Sequence, residues 1–204
     1  MSGKIKLNSG SGGGSVSIEA PSSSSNNRVF SLPDSADGTI AKTSDISFTS
    51  YAIIADVKAS NADGGSFTTG DWRTRDLNTE ISDVDNIVSI SSNQFTLAAG
   101  TYLIEFEAPA CRTGVHQTRL YNATTSSAVQ DGSNQWAGAN SGTSGNRSFG
   151  YARVTISGST AFEIQHQSGT DGTGSGTFGF GVGTSGYMDW GSPIYTIVKI
   201  FKQP

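Results

Sequence analysis

The sequence predicts an all-β protein, a short fibrous β-stalk leading into a jelly-roll sandwich, and three observations predict it. No window sustains apolar residues at the i, i+3, i+4, i+7 spacing of a helix without interrupting glycines or β-branched clusters. Short alternating runs recur instead, divided by Gly, Ser and Asn turns. The polar bulk is uncharged: charged residues are 15% of the chain, against about a quarter in an ordinary soluble domain. Ten Phe, six Tyr and three Trp supply core-forming side chains. With a net charge of only −4, the chain lacks the composition of a disordered one.

The elements follow in order. Residues 1–44 carry three brief apolar–polar pairs, Ile5 and Leu7, Val16 and Ile18, Phe30 and Leu32, spaced by turn residues. Strands this short are marginal in a single chain, so several copies are expected to wrap together around one narrow apolar axis. The head spans 45–204 and opens with YAIIADVK at 51–58, an apolar run suited to a strand buried on both faces. Short strands are expected at 88–90 and 94–97. Residues 101–108 alternate, with Tyr102, Ile104 and Phe106 opposed by Leu103, Glu105 and Glu107. Residues 117–122 alternate as well. Residues 148–156 and 160–166 read as a hairpin turned at Ser157-Gly158-Ser159, with positive φ at the glycine. A glycine-spaced strand is expected at 177–182, and the last strand at 194–201. Such a count without helices implies a two-sheet jelly roll. Its first and last strands pair mid-sheet, which puts functional surface at the end remote from them.

Several function classes are excluded on composition. A mildly acidic chain lacks the clustered cations that bind phosphates, so no nucleic-acid partner is expected. No apolar run approaches the roughly 20 residues that span a bilayer, so no membrane insertion is expected. The opening residues MSGKIKLNS have no apolar stretch of a secretory signal. The lone Cys111 makes no disulfide framework and no CxxC metal site; it reads as a small buried hydrophobe.

Two stretches resemble known families. GKIKL, GGSVSIEAP and NNRVFSLPDSADGTI, within the first fifth of the chain, resemble repeat segments of tail-fibre proteins from marine and cyanobacterial bacteriophages. WRTRDLNTE, NQFTLAAGTYLIEFEAPA and HQTRLYN resemble phage heads with a complement/tumour-necrosis-factor-like jelly roll. Phe95, Thr96, Gly100 and Tyr102 match that family's aromatic–Thr–x–x–x–Gly–x–Tyr spacing. The chain departs from the family at Ser157–Thr160, where a Gly-Asp turn is usual, and has no collagen-like stalk. The resemblance implies a homotrimer with aromatics around the three-fold axis, no enzymatic activity and no cofactor. It implies a tail-fibre virion protein, assembled in the host cytoplasm, whose head binds a host surface receptor, either glycan or outer-membrane protein. Its other partners are then tail or virion proteins. The alternative is a structural virion protein, a capsid decoration or fibre connector.

Several local constellations carry side chains suited to chemistry. Trp72–Asp76 with Glu80 could clamp an anionic sugar through arginine, or form an Arg–carboxylate network at a sheet rim or between subunits. Asp83 and Asp85 do not follow a calcium loop and read as a solvated turn. His116 and His166 could bind a metal on a three-fold axis, though nothing local supports it, and a hydrogen-bonded interface histidine is the plainer account of His166. The G-x-S-x-G elbow of a hydrolase is absent, and Glu105 with Glu107 faces no evident cleft for glycan cleavage. Residues 169–176 read as a surface loop. Two loops remain for recognition: 132–146, with Trp136 alone among polar residues, and 184–192, with Tyr187, Met188, Asp189 and Trp190. Aromatics in polar loops suit sugar stacking or interface anchoring. The receptor-binding candidates are therefore Tyr187, Asp189 and Trp190, then Arg112, His116 and Trp136. No metal site is expected.

Overall fold

The structure is a computed structural model that describes residues 4–19, 50–66, 68–138, 145–169, 179–181 and 191–203. The chain divides into two units, Met1–Ile40 and Ala41–Pro204. In the first, β1 (Lys4–Asn8) and β2 (Ser15–Glu19) form an antiparallel hairpin whose register sets Ile5 opposite Ile18 and Leu7 opposite Val16. Ser9 N–H donates to Gly14 O at 2.8 Å across a turn with Gly12 and Gly13 at φ of 87° and 71°, a conformation that glycine adopts without steric cost. Ile5, Leu7 and Ile18 are exposed. Phe30 and Leu32 lie outside the described residues.

The second unit contains β3 (Ser50–Val57), β4 (Arg73–Thr74), β5 (Thr79–Asp83), β6 (Val88–Ser91), β7 (Gln94–Leu97), β8 (Gly100–Cys111), β9 (Gly114–Asn122), β10 (Ser127–Ala137), β11 (Gly145–Ile156), β12 (Thr160–Ser168) and β13 (Ile194–Lys202). They build two facing sheets. One runs β11-β8-β13-β3-β5, and the other runs β10-β9-β12-β7-β6 with β4 added on β12. The fold is an all-β jelly-roll sandwich. Successive strands from β7 onward cross between the sheets, save β9 to β10, which stay in one.

The alternation read in the sequence fixes the core. Tyr102, Ile104 and Phe106 of β8 point inward with Ala52 and Ile54 of β3, Val198 and Ile200 of β13, and Ala152 and Val154 of β11. They meet Phe95 and Leu97 of β7, Leu120 of β9, and Phe162 and Ile164 of β12 from the other sheet. The rings of Phe95 and Phe162 stack at 5.7 Å. Burying a large apolar side chain is worth about 1.5–3 kcal/mol, so this shared layer holds the two sheets together. Gly150 on β11 is needed there: a Cβ at that position would stand 2.3 Å from the Phe106 ring.

The expected pairing of first and last strands is present, with Ser50 opposite Lys202 and Ala55 opposite Ile197. Because Lys202 also lies opposite Tyr102, this end of the sandwich holds the start of β3, the start of β8 and the end of β13. The opposite end holds Cys111, which pairs with Gly145, and the β8–β9 turn.

Three expectations are corrected. β11 and β12 are not a hairpin: they belong to different sheets, so residues 157–159 cross the sandwich, and Gly158 needs no positive φ. Residues 132–137 are not loop but the end of edge strand β10, paired with β9 through two register shifts. Gly132, which reads as a turn signal, is there because a Cβ would sit 2.4 Å from Thr118 Oγ1; glycine inside a strand commonly marks such a close approach. Gly179, Phe180 and Gly181 are described and lie outside any strand, while residues 177, 178 and 182 of the strand expected at 177–182 lie outside the described residues.

Candidate recognition site

Arg112 forms the β8–β9 turn with Thr113 and takes φ 57°, which places it at the end of the sandwich remote from Ser50 and Lys202. Trp136 closes β10 at the same end, opposite Val115, and is 62% exposed. His116 is corrected: it is not a surface residue but lies on the inner face of β9 at 1% exposure. Tyr187, Asp189 and Trp190 lie outside the described residues; Gly181 and Pro193, which flank that segment, are anchored by Gly64 N–H donating to Gly181 O and Lys58 N–H donating to Pro193 O.

A polar column fills the sandwich beneath this end. His116 Nδ1 and His166 Nε2 are 2.9 Å apart, and His116 Nε2 is 2.6 Å from Asn146 Oδ1. The Asn146 amide nitrogen donates to Trp136 O at 2.9 Å, so its oxygen accepts from His116 Nε2–H, and His116 Nδ1 accepts from His166 Nε2–H. The bonds thus run from the core to the main chain of Trp136. His166 stacks on Phe180 at 6.1 Å, and the Arg75 guanidinium covers Phe180 at 3.9 Å. Both histidines are held below their ordinary pKa, first by burial and then by the positive charge of Arg75, with Asn146 partly opposing this for His116. Their burial also removes the three-fold metal site: each histidine meets the other inside one protomer. Among the described residues no three His, Cys, Asp or Glu side chains converge on a metal-sized space.

The WRTRD cluster is an internal brace. Arg75 is fully buried, donating to Thr196 Oγ1 at 3.0 Å and to Phe180 O at 2.9 Å. Burial pushes its pKa down to about 9, so it stays charged at neutral pH. Asp56 and Asp76 share Lys58. Asp56 is wholly buried, and burial outweighs Lys58 in raising its pKa. Arg119 lies 3.9 Å over Trp72 and 5.1 Å from Tyr121 and donates to Gln165 Oε1 at 2.8 Å. These contacts occupy Arg75 and Arg119, while the exposed Arg73 donates to Thr68 Oγ1 at 2.7 Å. Asp83 accepts from the amides of Ile87 and Val88 at 2.9 and 3.0 Å, closing a turn. Cys111 is buried and free.

The outer face of the five-stranded sheet exposes several apolar side chains. Tyr51 of β3, Phe201 of β13 and Leu103 of β8 form one cross-strand row. Ile197 and Phe149 flank Glu107 in another, and Tyr151 stands beside Glu105 between them. Phe149 and Tyr151 are 45% and 59% exposed and meet edge to face at 6.2 Å. Glu105 pairs with Lys199 at 3.5 Å and Glu107 with Arg147 at 3.3 Å. The two carboxylates are thus each matched to a cation of their own. Sequence reading found the alternation of β8 but not this patch, because its members come from four separate strands.

No protein-family model and no curated protein matches the chain. Among solved structures it is similar to the globular domain of zebrafish complement 1qA protein, at 16% identity and TM-score 0.46, over 74% of this chain and 95% of that one. It is similar to the PRD1 vertex protein P5 at 15% identity and TM-score 0.46, over 76% and 98%. It is also similar to the Eiger TNF of S. frugiperda at 9% identity and TM-score 0.48, over 76% and 92%. No helix among the described residues is long and apolar enough to cross a membrane.

Proposed function

We propose that the chain is a bacteriophage tail-fibre protein whose trimeric head binds the surface of a bacterial host during adsorption, without catalysis. One observation carries this reading: the outer face of the sheet that holds the first and last head strands exposes Tyr51, Leu103, Phe149 and Tyr151 together. Exposed aromatic and aliphatic side chains gathered on one sheet face, around the Glu105–Lys199 and Glu107–Arg147 pairs, mark an interaction surface. Two further copies would cover it, as the resemblance of the head implies. The apolar face of the β1–β2 hairpin, with Ile5, Leu7 and Ile18 exposed, has the same need for partners. The resemblance of the first fifth of the chain to tail-fibre repeat segments is what suggests the virion context.

Recognition would then come from the end opposite the chain termini of the head, where Arg112 and Trp136 are presented; Tyr187, Asp189 and Trp190 are the further candidates read from the sequence. Three weak sites fixed in one particle raise the effective concentration of each without new contacts. Labelled protein is expected to stain cyanobacterial host cells and to block phage adsorption competitively. The double variant Tyr187→Ala and Trp190→Ala should keep its oligomeric state and lose staining. Protein that neither stains cells nor competes would be a structural virion component instead.

A further inference from the structure

The outer face of the six-stranded sheet carries a groove of about 480 Å³, a volume within the range of small-molecule sites. Gln117 of β9 lies in its middle, directly opposite Asn134 of β10 on one side and Gln167 of β12 on the other. One step towards the β8–β9 turn, Val115 lies opposite Trp136; cross-strand partners share a face of the sheet. Val115 and Trp136 are 45% and 62% exposed, so an apolar step and an indole adjoin a row of three carboxamides.

Two of those carboxamides are held in place. Gln117 Nε2 donates to Gly132 O at 2.9 Å, and Gln167 Nε2 donates to Gly70 O. Both bonds use the nitrogen, so the two Oε1 atoms remain as acceptors, and Asn134 is exposed. Among the described residues no charged side chain lines the groove, and the neighbouring Arg119 is taken up by Trp72, Tyr121 and Gln165. A carboxylated or sulfated ligand would meet no cation among the described lining residues. A purely apolar ligand would bury amide groups without partners, which weakens binding. Hydroxyl groups that both donate and accept, on rings with an apolar face, meet every feature of the lining.

We infer that this groove binds a neutral saccharide, with Trp136 stacking on a ring face and Gln117, Asn134 and Gln167 bonding its hydroxyls. The inference deepens the adhesion reading above by naming its ligand class. Titration of the full-length chain with maltotriose, cellotriose, mannotriose and chitotriose, and with trigalacturonate as the acidic comparison, tests it through tryptophan fluorescence and saturation-transfer NMR. At least one neutral trisaccharide is expected to bind, and trigalacturonate is not. Trp136→Ala should weaken that binding by about tenfold, as loss of a stacked aromatic does, and Trp136→Phe should restore part of it. Gln117→Ala should weaken it several-fold, while Val84→Ser should bind as the parent does. Binding by trigalacturonate alone, by no member of the set, or equally by the parent and both alanine variants overturns the inference. Cell staining that survives Trp136→Ala and is not competed by the trisaccharides sinks the groove and leaves adhesion standing. Trisaccharide binding that depends on Trp136, without cell staining, sinks adhesion and leaves the groove.

Discussion

His116 and His166 lie 50 residues apart in the sequence, and nothing in their neighbours announces that they meet. Strand register brings them together, with β12 pairing β9 so that His166 lies opposite Thr118 and Ser168 opposite His116. The consequence is a pH dependence whose sign is fixed. Burial, reinforced by Arg75, lowers both pKa values in the folded chain below the ordinary 6.5. The unfolded chain therefore binds protons first as the pH falls. The stabilisation is complete above about pH 6.5 and declines below it, by up to about 1.4 kcal/mol per pH unit for each histidine. Urea unfolding at pH 7.5 and 5.5 should show the loss, and His166→Gln should flatten it. Equal midpoints for the parent at both pH values would remove the histidine pair as its source. His116 illustrates why a polar residue near an apex is hard to place from sequence. One residue of register decides whether its side chain meets solvent or core.

Strands with strict alternation were legible, and those shaped by close contacts were not. β8 reads correctly because Tyr102, Ile104 and Phe106 alternate with Leu103, Glu105 and Glu107, and the burial follows that order. The apolar runs of β3 and β13 likewise announced strands deep in a sheet. β10 was hidden because its sequence is polar, carries Gly132 and shifts register twice. Its role is visible only in three dimensions: Ser148 Oγ donates to Ser133 O at 2.6 Å, and Phe149 N–H donates to Ser133 Oγ at 3.1 Å, which fastens the edge of one sheet to the other. Gly150, in contrast, serves the core. Gly150→Ala should drive its new methyl into Phe106 and cost roughly 1–3 kcal/mol, read as a lower urea midpoint with an unchanged m-value. An unaltered midpoint would mean that Phe106 has room to shift.

For the whole molecule, the jelly roll was predictable because strand number, turn chemistry and absence of helical periodicity agree. The groove and the apolar outer face were not, since each collects residues from strands distant in the chain. If the outer face is shared among copies, the particle should sediment at three times the 21.2 kDa of one chain. Tyr151→Arg should then release folded single chains, because Tyr151 is already 59% exposed within one chain and contributes little to its core. A parent protein that sediments as a single chain at micromolar concentration would reject the trimer.

The antiparallel neighbours β3 and β13 bring Ser50 and Lys202 side by side, at the opposite extremity from Val115 and Trp136. A fluorophore, biotin or sensor surface coupled beyond Lys202 would accordingly hold the head by its base. The carboxamide row and the indole beside it would face outward, open to whatever is washed across them.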